Sequence, residues 1–397
     1  MVIFITPQST CYDKINSTGP NYARRPMKFT SDRSTLHTSL QQLGRVVPSR
    51  STLPILSSVL MSTEGGKLSV RATDLEISQV INLEAVVDGE GSVAVPHRTL
   101  LDITNEMPEG ELQIEVLEDR RLKISTTFGN YSIMGKPTEE FPALPVIDGH
   151  HSVPISAALL SSVISKTAFA VSRDELKPSL MGVLFRFTES GLRAVATDGH
   201  RLVRFNKSDF DSGDYHGENI IPVKFLNILG TYLTGEEEVT LNIGENHIMV
   251  QSQDTALYTR IIEERFPDYE SVFPQDNDKK VILSREELLA TVRRVSIFSN
   301  KTTHQIAFRL DQDGLEVSTE DIETVSNARE KLACEYDGDP LLIGYNSNYL
   351  RDILMHLDGD RLIGEFKSSV SAAIFYHEQA EENEDLTMLL MPIRLND

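Results

Sequence analysis

The sequence predicts an α+β chain of three similar domains. The first observation is a short motif that recurs: GKLSVRATD at 66–74, SGLRAVATD at 190–198 and DGLEVSTED at 313–321, with leucines 124 and 123 residues apart. The second is a helical pattern before each copy and another after it. The third is a pair of proline-rich joints, Phe141-Pro142-Ala143-Leu144-Pro145 and the stretch from Phe266-Pro267-Asp268-Tyr269 to Pro274. Solenoid modules repeat every ~20–50 residues, so a period this long is a whole domain.

In chain order, residues 1–26 hold Pro7, Pro20 and Pro26 and no periodicity, and are expected to be a disordered, dispensable leader. Met27 opens the patterned part. Leu36, Leu40, Leu43 and Val47 lie on one helix face, and Leu160, Ile164, Thr167 and Leu288, Val292, Val295 repeat that spacing. Ser284 followed by Glu287 has the form of a capping box. Apolar alternating runs at 55–61, 181–187 and 306–310 lead into the three motifs, giving strand, glycine turn and strand each time. A second helix follows in each unit, marked by Leu100/Ile103/Met107, Phe225/Leu229/Tyr232 and Leu350/Ile353/Leu357. Further strands close each unit at 112–117 with 122–125, 239–243 with 247–251, and 361–366 with 371–376. The expected domains are 27–147, 152–275 and 280–397.

Composition bounds the function. Of 397 residues, 59 are acidic and 38 basic, a net charge of −21, and 40% are hydrophobic, enough for packed cores. No window approaches the ~18 apolar residues of a membrane helix, and the apolar run at 2–5 is shorter than the ~7–15 residues of a signal-peptide core. Cys11 and Cys334 make neither a disulfide framework nor a metal-site spacing. A reducing compartment, most simply the cytoplasm, is expected. Acidity argues against a general nucleic-acid coat. Yet the six helix windows (31–47, 97–107, 155–173, 222–233, 284–299 and 346–357) hold ten basic residues against six acidic ones. Basic helices in an acidic protein suit one polyanion enclosed by the helices.

Motifs for catalysis are weak. Gly89-Glu90-Gly91-Ser92-Val93-Ala94 loosely fits a dinucleotide fingerprint, but a strand pattern follows where a helix should open, so a hairpin turn is expected. Gly230 to Gly235 has P-loop spacing but ends in Glu236 instead of lysine. His150-His151 reads as linker, and Glu236-Glu237-Glu238 as a solvated turn. Asp198 and His200 could form an acid–base pair, but no nucleophile is marked beside them. The rival classes are an oxidoreductase using 85–94, a hydrolase using Asp198 and His200, and an acidic scaffold without DNA. The threefold repeat speaks against an enzyme, because catalytic motifs need not recur in it.

Thr52-Leu53-Pro54-Ile55-Leu56, Thr73-Asp74-Leu75-Glu76, Ala196-Thr197-Asp198-Gly199-His200-Arg201-Leu202, Phe266-Pro267-Asp268-Tyr269 and Met391-Pro392-Ile393-Arg394-Leu395 together resemble the bacterial DNA polymerase III β sliding clamp family. The resemblance runs from Met27 to Leu395. It implies the DNA clamp fold: a homodimeric ring with helices lining the inside and antiparallel sheets outside, around duplex DNA held without sequence preference. It implies no catalysis, cofactor, metal or membrane. The implied partners are the DNA polymerase III α subunit, an ATP-driven clamp loader, and other polymerases and mismatch-repair proteins, bound through linear peptide motifs.

The family's peptide pocket, carried over by motif, comprises Leu180, Thr197, Gly199, His200, Arg201, Leu202, Pro267, Val272, Asn346, Tyr349, Leu389, Met391, Pro392, Ile393 and Arg394. Lys177-Pro178-Ser179 stands where some members carry aromatic residues that contact DNA and gate the pocket, and Ile393 replaces a methionine. Arg50, Arg98 and Lys224 match the family's DNA contacts. The helix charges add Arg45, Lys166, Arg173, Arg293 and Arg294, all expected to touch phosphate only. Tyr131 and Ile133 are expected to meet Ile297 and Phe298 of a second copy at the dimer interface.

Overall fold

The computed structural model describes residues 26–395 apart from 148, 234, 236, 253 and 379–381. The expected leader up to residue 25 lies outside the described residues, as does Glu236.

The six helices form inside the windows that their periodicity marks: α1 (Arg33–Leu43), α2 (His97–Glu106), α3 (Ala157–Thr167), α4 (Val223–Leu229), α5 (Arg285–Ser296) and α6 (Ser347–His356). Leu36, Leu40 and Leu43 are fully buried, as expected of one apolar face. Side-chain oxygens cap four of the six. Asp32 accepts from the Ser34 amide at 2.9 Å, Ser156 from Leu159 at 3.2 Å, Ser284 from Glu287 at 3.3 Å and Asn346 from Asn348 at 2.9 Å. Each bond satisfies an amide that the first helical turn leaves without a partner.

Each unit contains the same two halves, a strand and helix followed by strands. The first half ends in a third strand that the motif pattern does not reveal: Ile77–Leu83, Arg201–Lys207 and Ser326–Leu332. The first two of these strands join the units. Ile77–Leu83 pairs antiparallel with Thr255–Arg260, the last strand of the second unit. Arg201–Lys207 pairs likewise with Glu384–Leu390, the last strand of the third. An eight-stranded sheet therefore spans units one and two, and a nine-stranded sheet spans units two and three. A five-stranded sheet in the first unit has Asn130–Met134 at its edge, and a four-stranded sheet in the third has Ser326–Leu332 at its edge.

Glycine is required where the repeat motif turns. Gly191 has φ +114° and Gly314 φ +126°, and a Cβ on either would fall within 2.5 Å of a backbone oxygen, that of Lys207 or Leu332.

Two local expectations are corrected. Gly89 to Gly91 is not a hairpin: Val86–Gly89 pairs with Lys28–Asp32 in one sheet, while Gly91–Pro96 pairs with Ser58–Glu64 in another. His151 is not linker but the first residue of an edge strand, His151–Ser156, where Pro154 is tolerated because an edge needs no second hydrogen-bond partner.

Candidate functional site

The joint between units two and three is built on the turn Thr197 to Arg201. The Thr197 hydroxyl donates to the Arg201 carbonyl at 2.6 Å and accepts from the Gly199 amide at 3.1 Å. One Asp198 carboxylate oxygen accepts from the amides of His200 (2.9 Å) and Arg201 (3.0 Å). Gly199, at φ +90°, allows the bend. The strand then pairs across the joint, Leu202 opposite Leu389, and the Met391 amide donates to the His200 carbonyl at 2.8 Å. Beyond it the Ile393 amide donates to Gly344 at 2.9 Å, which holds the C-terminal segment against the third unit.

Leu180, Leu202 and Leu389 belong to one apolar cluster with Leu184, Val195, Ile220, Phe266, Tyr269 and Ala372. Val272 and Met391 stay exposed at its margin, an apolar lip open to a ligand. Pro267, also exposed, follows the buried Phe266. Tyr349 reaches over from α6 and stacks on His200, ring centroids 5.5 Å apart. The structure thus brings Leu180, Thr197, Gly199, His200, Arg201, Leu202, Asn346, Tyr349, Leu389 and Met391 to one joint, while Pro392 and Arg394 follow in the C-terminal segment, Arg394 exposed.

Two of them have other work. Asn346 spends its side chain capping α6 and donating to Thr303. Arg201 is buried, and its guanidinium donates to Asp198 (3.2 Å), Asp352 (2.7 Å) and the Phe169 carbonyl (2.7 Å). It braces the turn and leaves little of itself for a ligand. Asp352 and Phe169 are neighbours of the joint that sequence reasoning missed.

The expected DNA contacts divide. Arg50, Arg173 and Arg293 are exposed and make no ion pair with the described residues. Arg98 is 83% exposed beside Asp102. Arg45 donates to Thr231 and Lys224 pairs with Asp74, both across the joint between units one and two. Arg294 pairs with Glu330, which holds that carboxyl below its ordinary range. Lys166 is a correction. Its side chain is 12% exposed, lies between Asp358 (3.0 Å) and Glu384 (3.3 Å) and sits over the Phe205 ring. Burial opposes its charge, but the two carboxylates outweigh burial and raise its pKa. It is a bolt between units two and three, its charge engaged by the two carboxylates.

At the chain's two end faces, Ile297 and Phe298 are exposed, 65% and 43%, with Ile322 and Val325 nearby in sequence to their sheet's edge strand. On the other face Tyr131 is half-buried, but Ile133 is a core residue, 8% exposed, so Phe128 and Met134 supply the open apolar surface there. Strand alternation turns Ile133 inward.

Three consecutive stretches match the DNA polymerase III beta subunit: its N-terminal domain at residues 27–145, its central domain at 154–268 and its C-terminal domain at 270–394. The chain belongs to this family of sliding clamps. The beta sliding clamp of Pseudomonas aeruginosa is 32% identical over 373 residues, covering 93% of this chain and all of that one. That of Bacillus subtilis is 27% identical over 380 residues, with the same coverage. Among solved structures, the Pseudomonas aeruginosa clamp bound to griselimycin superposes with a TM-score of 0.86 at 31% identity, and the Bacillus subtilis clamp with 0.88 at 26%. The first covers 93% and the second 94% of this chain, and each matches over its full length. The fold is therefore the DNA clamp fold, and the protein is a sliding clamp of DNA replication. No helix among the described residues is long and apolar enough to cross a membrane.

Proposed function

We propose that two copies of this clamp close head to tail into a ring around duplex DNA, hold it without reading sequence, and tether DNA polymerase III through a peptide seated at the joint of units two and three. One observation carries the reading. Both joints within the chain are the same joint, the third strand of one unit's first half against the last strand of the next unit. That rule leaves Ser326–Leu332 and Asn130–Met134, each at a sheet edge, as the unmatched halves. An open edge invites pairing, and a head-to-tail contact that closes gives a ring of two copies and six units. The helices then line the hole, where Arg50, Arg173 and Arg293 face phosphate, while the net charge of −21 keeps the outer surface from gripping DNA.

In this reading the clamp is a cytoplasmic processivity factor with no catalytic step of its own. A clamp loader opens it, and other polymerases and mismatch-repair proteins share the peptide pocket. Holding power comes from topology, so the test is the half-life on a nicked DNA circle before and after linearisation. A long half-life that collapses on cutting is expected. An unchanged half-life refutes the ring.

A further inference from the structure

We propose that Asp352, Phe169 and His356 are positioning residues that set the affinity of the peptide pocket from behind its wall, across the joint of units two and three. The proposal rests on the peptide-pocket reading and adds residues that touch no peptide.

The contacts form a closed circuit. Arg201 donates to the Asp352 carboxylate at 2.7 Å and to the Phe169 carbonyl at 2.7 Å. Its guanidinium lies between two rings, 4.9 Å from the Tyr349 centroid and 5.1 Å from that of Phe169. Phe169 in turn stacks on His356, centroids 3.9 Å apart and planes within 8°. The circuit returns to its start because His356 Nδ1 lies 2.7 Å from the Asp352 carbonyl oxygen. Arg201 and Phe169 come from the second unit. Tyr349, Asp352 and His356 come from α6 of the third and lie at i, i+3 and i+7, one face of the helix turned toward its neighbour.

This face connects to the pocket at two points. Tyr349 stacks on exposed His200, and Arg201 braces the Asp198 turn through its own side chain and amide. Any shift of α6 against the second unit moves both points together. A guanidinium this buried needs both carboxylates, because a buried charge that loses a partner reorients or draws in water. Removing the Asp352 charge therefore leaves Asp198 as the only carboxylate on Arg201, beside the Phe169 carbonyl, and loosens the turn that carries Gly199 and His200. Peptide binding must then spend part of its free energy restoring that geometry, which is the physical content of coupling between a wall and its buttress.

The test uses the full-length chain and a fluorescein-labelled linear peptide with Leu and Phe anchors, read by fluorescence anisotropy well below the melting transition. Asp352→Asn is expected to weaken the peptide on the order of tenfold, with Asp352→Glu recovering most of the loss. His356→Ala removes the stack and the Nδ1 contact to the Asp352 carbonyl while keeping the Asp352 charge, and is expected to weaken the peptide by about threefold, which keeps the test open if Asp352→Asn does not fold. Lys166→Met breaks the comparably buried Lys166–Glu384 ion pair of the same joint, which shares no residue with this circuit. It is expected to lower the melting temperature and leave peptide affinity within about twofold of the parent. Unchanged affinity in folded Asp352→Asn would overturn the proposal. So would an equal loss in Lys166→Met, since the effect would then be general loosening. A parent chain that binds no peptide would instead bring down the pocket reading itself.

Discussion

Replacing Ile297 and Phe298 together by alanine tests ring closure where the structure allows a magnitude. In the single chain these side chains are 65% and 43% exposed. Fully burying an aliphatic or aromatic side chain contributes about 2–2.5 kcal/mol. If closure buries what remains exposed, the two contribute about 1.3 and about 1.1 kcal/mol, or about 2.4 per interface. A closed pair of copies has two such interfaces, so the double substitution removes about 5 kcal/mol. That is between three and four decades in the dimer dissociation constant. Sedimentation over a concentration series should show a dimer of the parent chain persisting far below the concentration at which the variant dissociates. The variant should keep its melting profile as a monomer, because neither side chain belongs to a core. A shift of less than tenfold would mean that these residues stay exposed in the assembly, and the assignment of this end face would fail.

Three further outcomes are expected. Truncation after Leu390 removes the segment held by His200 and Gly344 and should abolish peptide binding by calorimetry while the dimer persists. Arg50, Arg173 and Arg293 changed together to alanine should flatten the log–log salt slope of DNA binding by up to about 3 units, whereas Lys166→Met should leave that slope unchanged. Because the Lys166 pKa is raised on folding, its stabilisation is complete below the unfolded lysine value of about 10.4 and disappears as pH rises through the folded value. The difference in melting temperature between parent and Lys166→Met should therefore be constant from neutral pH to about 9 and shrink above about 10.5.

Helices and repeat were legible because their signal is local. A buried stripe must recur every three or four residues, and α1 through α6 appear where the stripes stand. The third strand of each first half was not legible. Ser326–Leu332, with the sequence SNAREKL, is half-exposed along its whole length, and its pairing is carried by backbone groups that leave no mark on side-chain choice. The pocket residues could be placed by resemblance, but the partners that hold them could not. Lys166 looked like any cation on a helix, yet its carboxylate Glu384 lies 218 residues away. Ile133 was placed at the interface by resemblance, while alternation along its strand decides which way the side chain faces.

The repeat also explains why this reading gives one peptide pocket per chain. The joint between units one and two carries the same turn: Thr73 donates to the Ile77 carbonyl, Asp74 accepts from the amides of Glu76 and Ile77, and the Arg260 amide donates to Glu76 as Met391 does to His200. The side chains at matching positions differ. Leu75, at φ +83°, takes the place of Gly199; Glu76 that of His200; buried Ile77 that of Arg201; and Arg260, paired with Glu263, that of Met391. The first joint thus presents charge where the second presents an imidazole and a thioether, and Lys224 of α4 reaches Asp74 directly. A linear peptide with apolar anchors finds stacked rings and an apolar lip only at the second joint. Changing Glu76 and Arg260 to His and Met would restore the matching surface chemistry. Leu75 would still stand in the place of Gly199, its side chain 57% exposed on the surface a peptide must reach, so such a variant should gain no peptide affinity until Leu75→Gly is added. Two peptide sites per chain in the triple variant, counted by calorimetry, would show that these positions carry the difference between the joints. A single site would place it in the Arg201 circuit, which the first joint has no side chain to build.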